Sequence, residues 1–246
     1  MPTSQTSHGL LIQEAATGGR SRWLVSFVLG TVLCLAVFFT SNVGPQLLFD
    51  RDLVGIEYAT VGLLQIALIP PAVWLALRPV GLGLREAGVR GEYWRADALI
   101  GLGVAVGFAA LQFGLIIPAT GGAERSDIVV NAAQIGQSYR GVLGFVVLAW
   151  TGGVAEELFF RGHFFTTLRN VFGRSRAALV TAAVVTIAVF ALLHGYQGIA
   201  GVIDSGMFGG VALTLLFLWR RGRLTACAVA HAGWNSLAAT GIWLWY

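Results

Sequence analysis

The chain has 246 residues, of which 56% are hydrophobic and only 11% charged, where soluble domains carry about a quarter charged residues. A mean hydropathy of +0.75 over the whole length excludes a disordered chain, a coiled coil, a nucleic-acid-binding arm and most soluble enzymes, and leaves a polytopic helical membrane protein. The 16 basic residues are all arginine and the formal net charge is +4; because they stand between apolar runs, they read as loop charges of a membrane protein and not as a nucleic-acid surface.

The first 22 residues are polar and read as a cytoplasmic tail, with His8 inert. An apolar run from Trp23 to Phe39 follows Arg20 and Arg22. No small-residue cleavage site stands behind it, so it reads as a retained first span and not a signal peptide. Six more runs follow, near Leu53 to Leu77, Ala96 to Ile117, Gly141 to Leu168, Ala177 to Leu193, Gly198 to Trp219 and Leu224 to Trp245. Most approach the roughly 20 residues a helix needs to cross about 30 Å of hydrocarbon. The expected fold is an all-α transmembrane bundle of about seven spans, or eight if the second run divides at Pro70-Pro71. Alternate loops gather twelve arginines against three (Arg51, Arg125 and Arg140), with Arg161 inside a span. That asymmetry predicts a cytoplasmic N-terminus. Cys34 and Cys227 lie inside apolar runs and read as small buried hydrophobes.

Ionisable groups inside spans are costly and therefore informative. Here they concentrate in the last four. The fourth span contains GGVAEELFFRGHFF, with Glu156, Glu157, Arg161 and His163. Glu157 and Arg161, at i,i+4, make an internal ion pair. At about 100° per residue, Glu156 points well away from Arg161 and needs a partner from another helix. The fifth span ends at His194, and the last carries His231 and Asn235 on one face. For that last face, Glu156 and His194 are the expected counterparts. Ser236 lacks a base and is assigned to packing.

One carboxylate, two imidazoles and an amide suit hydrolysis. The carboxylate serves as general base and then general acid, one histidine orients the water, and the second histidine with the amide holds the oxyanion. The same two histidines and glutamate are also a possible zinc ligand set, though not in H-E-x-x-H spacing; we favour the reading without a metal.

These residues resemble the CPBP family of intramembrane proteases, also called the CAAX protease and bacteriocin-processing or Abi family. Its motifs EExxxR, FxxxH and HxxxN appear in order as Glu156-Glu157-xxx-Arg161, Phe190-xxx-His194 and His231-xxx-Asn235. The resemblance spans about residues 141 to 245 and divides the chain into a tail (1–22), N-terminal spans (23–140) and a catalytic region (141–246). It implies an endopeptidase of Rce1-like type that cuts a membrane-associated or lipidated protein within a cell membrane of bacterial type. It implies Glu156 as catalytic carboxylate, His194 as its helper in activating water, His231 and Asn235 as oxyanion ligands, and Glu157 and Arg161 as positioning groups. The family is described both as metal-dependent and as glutamate-dependent. His163 has no role in the pattern.

Two other classes compete: a non-catalytic scaffold or immunity protein that keeps the polar cluster for fold specificity, and a small proton-coupled transporter. The absence of an inverted repeat counts against the latter. Depth is the point of strain. At about 1.5 Å per residue from the nearest cytoplasmic arginine, Glu156 lies about 20 Å in, His231 about 12 Å and His194 about 27 Å. Straight upright helices would not level them, so the reading requires a tilt or a bend. Asp204, early in the sixth run, is expected at the outer surface.

Overall fold

The computed structural model describes residues 19–173 and 175–246. Most of the expected tail, His8 included, lies outside the described residues, as does Arg174. Among the described residues there is no strand and there are eight helices: α1 (Arg20–Phe49), α2 (Gly55–Val80), α3 (Trp94–Ala119), α4 (Ser126–Ile135), α5 (Tyr139–Phe172), α6 (Arg176–Leu193), α7 (Gly195–Trp219) and α8 (Thr225–Trp245). All except α4 and α8 are long and apolar enough to cross a bilayer. In α8, His231, Asn235, Ser236 and Thr240 dilute the hydropathy of a 21-residue helix. It nevertheless runs parallel to α3 along its length: Gly101 packs on Ala226 and Ala230, Ala105 on Gly233, and Phe113 on Gly241. The small residues at these crossings let the two backbones approach closely.

The possible division at Pro70-Pro71 does not occur; α2 runs unbroken through both prolines. In a bundle, neighbouring helices and local adjustments tolerate the lost N–H groups. The eighth element is instead α4, ten residues long, or about 15 Å, too short to span. It was not expected because its polar residues read as loop. The first span is also longer than its apolar run, ending at Asp50 in a left-handed turn. Ser175 starts α6 by accepting a hydrogen bond from the Ala178 N–H.

The core lies where α5 is enclosed by α1, α2, α6, α7 and α8, and Phe159, Phe165, Phe190, Leu213 and Phe217 are almost fully buried there. The outer faces are as apolar as the core, with Val32, Leu99, Val180, Leu192 and Leu215 exposed. Without a polar outside, these faces fit lipid and not water. Exposed Tyr93, Trp94, Tyr196, Trp219 and Trp245 stand at helix ends, the positions favoured at membrane interfaces. The chain is an integral membrane protein.

Candidate active site

Helix α5 carries two glutamates in succession, and the helical turn sends them to different surroundings. Glu157 is fully buried. Its Oε1 accepts a hydrogen bond from the Arg161 guanidinium at 2.8 Å and another from His231 Nδ1 at 2.8 Å. The expected ion pair is therefore present, but the expected partner of His231 is corrected: the close contact is Glu157, and Glu156 lies 3.9 Å from His231 Nε2. The reason is rotational. Successive residues sit about 100° apart, and Glu157 is the one turned toward α8. A bond from Nδ1 to Glu157 fixes the ring and aims Nε2 at the cavity, as a second carboxylate does for a catalytic histidine elsewhere.

Glu156 faces a cavity of about 740 Å³ that His194, His231 and Asn235 also line. Its Oε2 has no hydrogen-bond partner. His194 terminates α6, and its Nδ1 donates to the Phe190 carbonyl at 2.9 Å. That assignment leaves Nε2 as a lone-pair acceptor. Phe190 bridges the two imidazoles, with its ring centroid 4.8 Å from His194 and 6.0 Å from His231. Arg161 lies over the same ring at 4.9 Å. Whatever their depths, His231 and His194, the latter at the end of α6, line the same cavity.

Gly153 explains how α5 and α8 meet here. A β-carbon at that position would stand 3.6 Å from the His231 ring, in van der Waals contact, so the two helices pass closely. Immediately beyond, α5 widens into π-type turns over Leu158–Phe165, a feature common at functional sites. His163 lies on this stretch, outside the cavity lining, and donates from Nε2 to the Ser26 carbonyl of α1 at 3.1 Å. Its role is to tie two helices together. Ser236 bonds the Ala232 carbonyl one turn back, which fits packing.

The outer half of the cavity holds residues that the sequence reading missed. Gln65 and Gln112 line its walls almost fully buried; Gln65 keeps its Oε1 unpartnered and Gln112 both amide atoms. They lie inside apolar runs, so the rule that singled out the glutamates would have found them had it included amides. Asp204, expected at the surface, instead lines the cavity and pairs with Arg125. Arg125 also binds Asp127 at 2.8 Å and Thr120 at 2.8 Å. Burial opposes its charge, but the hydrogen bonds to Asp127 and Asp204 outweigh burial and hold the guanidinium above its ordinary value. Through Arg125, and through Ser126 donating to the Gln197 carbonyl at 2.8 Å, α4 is fastened beside the turn that follows His194.

Among the described residues no three His, Cys, Asp or Glu side chains gather as a metal site would require. The side chains as placed are not gathered as a zinc site needs, and no step is derived through a metal.

No curated protein and no solved structure matches the chain. Residues 138–237 match the family model described as Type II CAAX prenyl endopeptidase Rce1-like. This stretch supplies both glutamates, Arg161, both histidines and Asn235, and over it the chain is similar to that family.

Proposed function

We propose that the protein is an intramembrane endopeptidase that hydrolyses a peptide bond of a membrane-associated or lipidated protein with a glutamate-activated water. The observation that carries the reading is the division of labour between neighbouring glutamates. One is fully buried with a single oxygen bonded to both Arg161 and His231, and the other is partly exposed and faces the cavity with no hydrogen bond to its Oε2.

In this reading Glu156 takes a proton from water as the water oxygen attacks the scissile carbonyl carbon. His194 Nε2 accepts the water's other hydrogen and sets its orientation. The carbonyl oxygen becomes an oxyanion, and Asn235 offers its amide N–H to it. His231 offers Nε2–H from an imidazolium that Glu157 holds in place. The charges close: Glu156 and Glu157 are balanced by Arg161 and the imidazolium, so the cluster is neutral in its low-dielectric setting. When the tetrahedral intermediate collapses, the C–N bond breaks and Glu156 returns its proton to the departing amine. Glu157 and Arg161 are positioning residues and touch no substrate.

The walls support a substrate that comes from the bilayer. Leu35 and Phe39 of α1 and Leu193 of α6 line the cavity and are also exposed on the outer surface of the bundle. An apolar chain can pass between them without leaving hydrocarbon. The test uses protein in lipid nanodiscs with quenched fluorescent peptides, with and without an S-prenyl group. Wild-type protein releases fluorescence and Glu156→Gln does not, although it folds. An active, purified Glu156→Gln variant would remove the proposal.

A further inference from the structure

The cavity has an open and a closed end. Its walls come from the ends of the helices nearest the loops around 50–57, 120–138 and 194–198, with α4 beside the mouth. In the other direction the bundle seals. Phe159, Phe165, Leu213 and Phe217 fill the space beyond Glu157, each at most 1% exposed. Further along, Asp97 binds Arg220 and Arg223 across the end of the bundle, at 2.5 and 2.7 Å.

Charge divides along the same axis. The start of α1, the segments 78–95 and 220–223, and Arg169 and Arg176, all at the closed end, carry eleven loop arginines among the described residues. The open end has Arg51, Arg125 and Arg140 against six acids: Asp50, Asp52, Glu57, Glu124, Asp127 and Asp204. Arginine-rich loops of a polytopic membrane protein stay on the cytoplasmic side. From these two independent observations, the direction of the cavity and the direction of the charge, we infer that the site opens away from the cytoplasm, with the N-terminus cytoplasmic. Its substrate is then a peptide segment at the non-cytoplasmic surface, where a membrane-anchored chain leaves the bilayer. A lipidated C-terminus displayed in the cytosol would meet the sealed face. The word substrate rests on the hydrolase reading; the orientation does not.

The experiment is cysteine labelling in intact cells with a membrane-impermeant maleimide. Cys34 and Cys227 are fully buried and give little background. Three positions serve, none of them in the proposed catalytic machinery. Gln137→Cys lies in the exposed loop at the open end, Gln134→Cys on the cavity wall, and Gly91→Cys on the exposed closed-end loop. The inference expects Gln137→Cys and Gln134→Cys to label in intact cells, and Gly91→Cys only after permeabilisation. Labelling of Gly91→Cys in intact cells with Gln137→Cys protected overturns it, and so does a Gln134→Cys that stays unlabelled while Gln137→Cys reacts. Prenylated and unprenylated quenched peptides are then added outside sealed right-side-out or inside-out vesicles. Cleavage in right-side-out vesicles alone agrees with the inference, and cleavage in inside-out vesicles alone contradicts it. Silence in both removes the hydrolase reading and leaves the labelling pattern to decide orientation.

Discussion

Neighbouring glutamates on one helix should respond to the same substitution in opposite ways. Glu157→Gln keeps the side-chain shape but removes the charge that Arg161 and His231 share at 2.8 Å each. At an effective dielectric of about 20, one such contact is worth about 6 kcal/mol before desolvation is set against it. Removing one partner of a fully buried pair typically costs about 3–5 kcal/mol, because the remaining charge stays buried and uncompensated. Glu156→Gln removes a carboxylate that is about a quarter exposed (27%) and has an unpartnered oxygen; its expected effect on stability is under about 1 kcal/mol. Its expected effect on peptide release is a loss of about 10²–10⁴-fold or more. The double variant Glu157→Gln/Arg161→Met removes both buried charges and should recover most of the lost stability, yet remain inactive because no carboxylate is left to stabilise an imidazolium at His231. Thermal unfolding in nanodiscs and peptide release from the same preparations give both readings. A Glu157→Gln protein as stable and active as wild type, or a Glu156→Gln protein that fails to fold, would refute the assignment of one glutamate to structure and the other to chemistry.

Three further outcomes follow from individual contacts. A β-carbon at Gly30 would stand 2.2 Å from the His163 ring and 2.8 Å from the Ala76 side chain, so Gly30→Ala should cost about 1–3 kcal/mol in thermal unfolding, and His163→Ala in the same chain should return part of it. Asp97→Asn leaves the Arg220 and Arg223 guanidinia without their shared carboxylate and should lower stability by about 2–4 kcal/mol, with less effect at high salt than expected of a surface pair, since Asp97 is fully buried. Gln112→Met removes two unpartnered amide atoms and should raise the unfolding temperature, corresponding to about 1–3 kcal/mol, an outcome a hidden hydrogen-bond partner would reverse.

The long apolar runs made the spans legible, because hydrocarbon admits few backbone solutions, and the cost of charge in lipid marked Glu156, Glu157, Arg161 and His231 without any coordinates. Periodicity gave which residues share a face of one helix, such as His231 and Asn235. It could not give which neighbour each face meets. Hence the pairing of His231 with Glu157 in place of Glu156 became visible only when α5 and α8 were set at their crossing. Counting from arginines placed His194 at the far end of its span, where α6 does end, but could not say that a cavity joins that end to His231. The short α4 and the cavity position of Asp204 depend on Arg125 folding back to two carboxylates, one of them 79 residues away in the chain, a contact no local pattern encodes.

In the proposed reading the cluster is neutral, which lowers the cost of holding these groups in a membrane. Glu157 and Arg161 cancel within one helix turn, and the pair is sealed by aromatic side chains. Glu156 and His231 stand 3.9 Å apart at the edge of the cavity, close enough to stabilise each other's charge and far enough to leave hydrogen-bonding capacity unspent. In the proposed reading, the gap between Glu156 and His231 is where a water and the carbonyl it attacks complete the set.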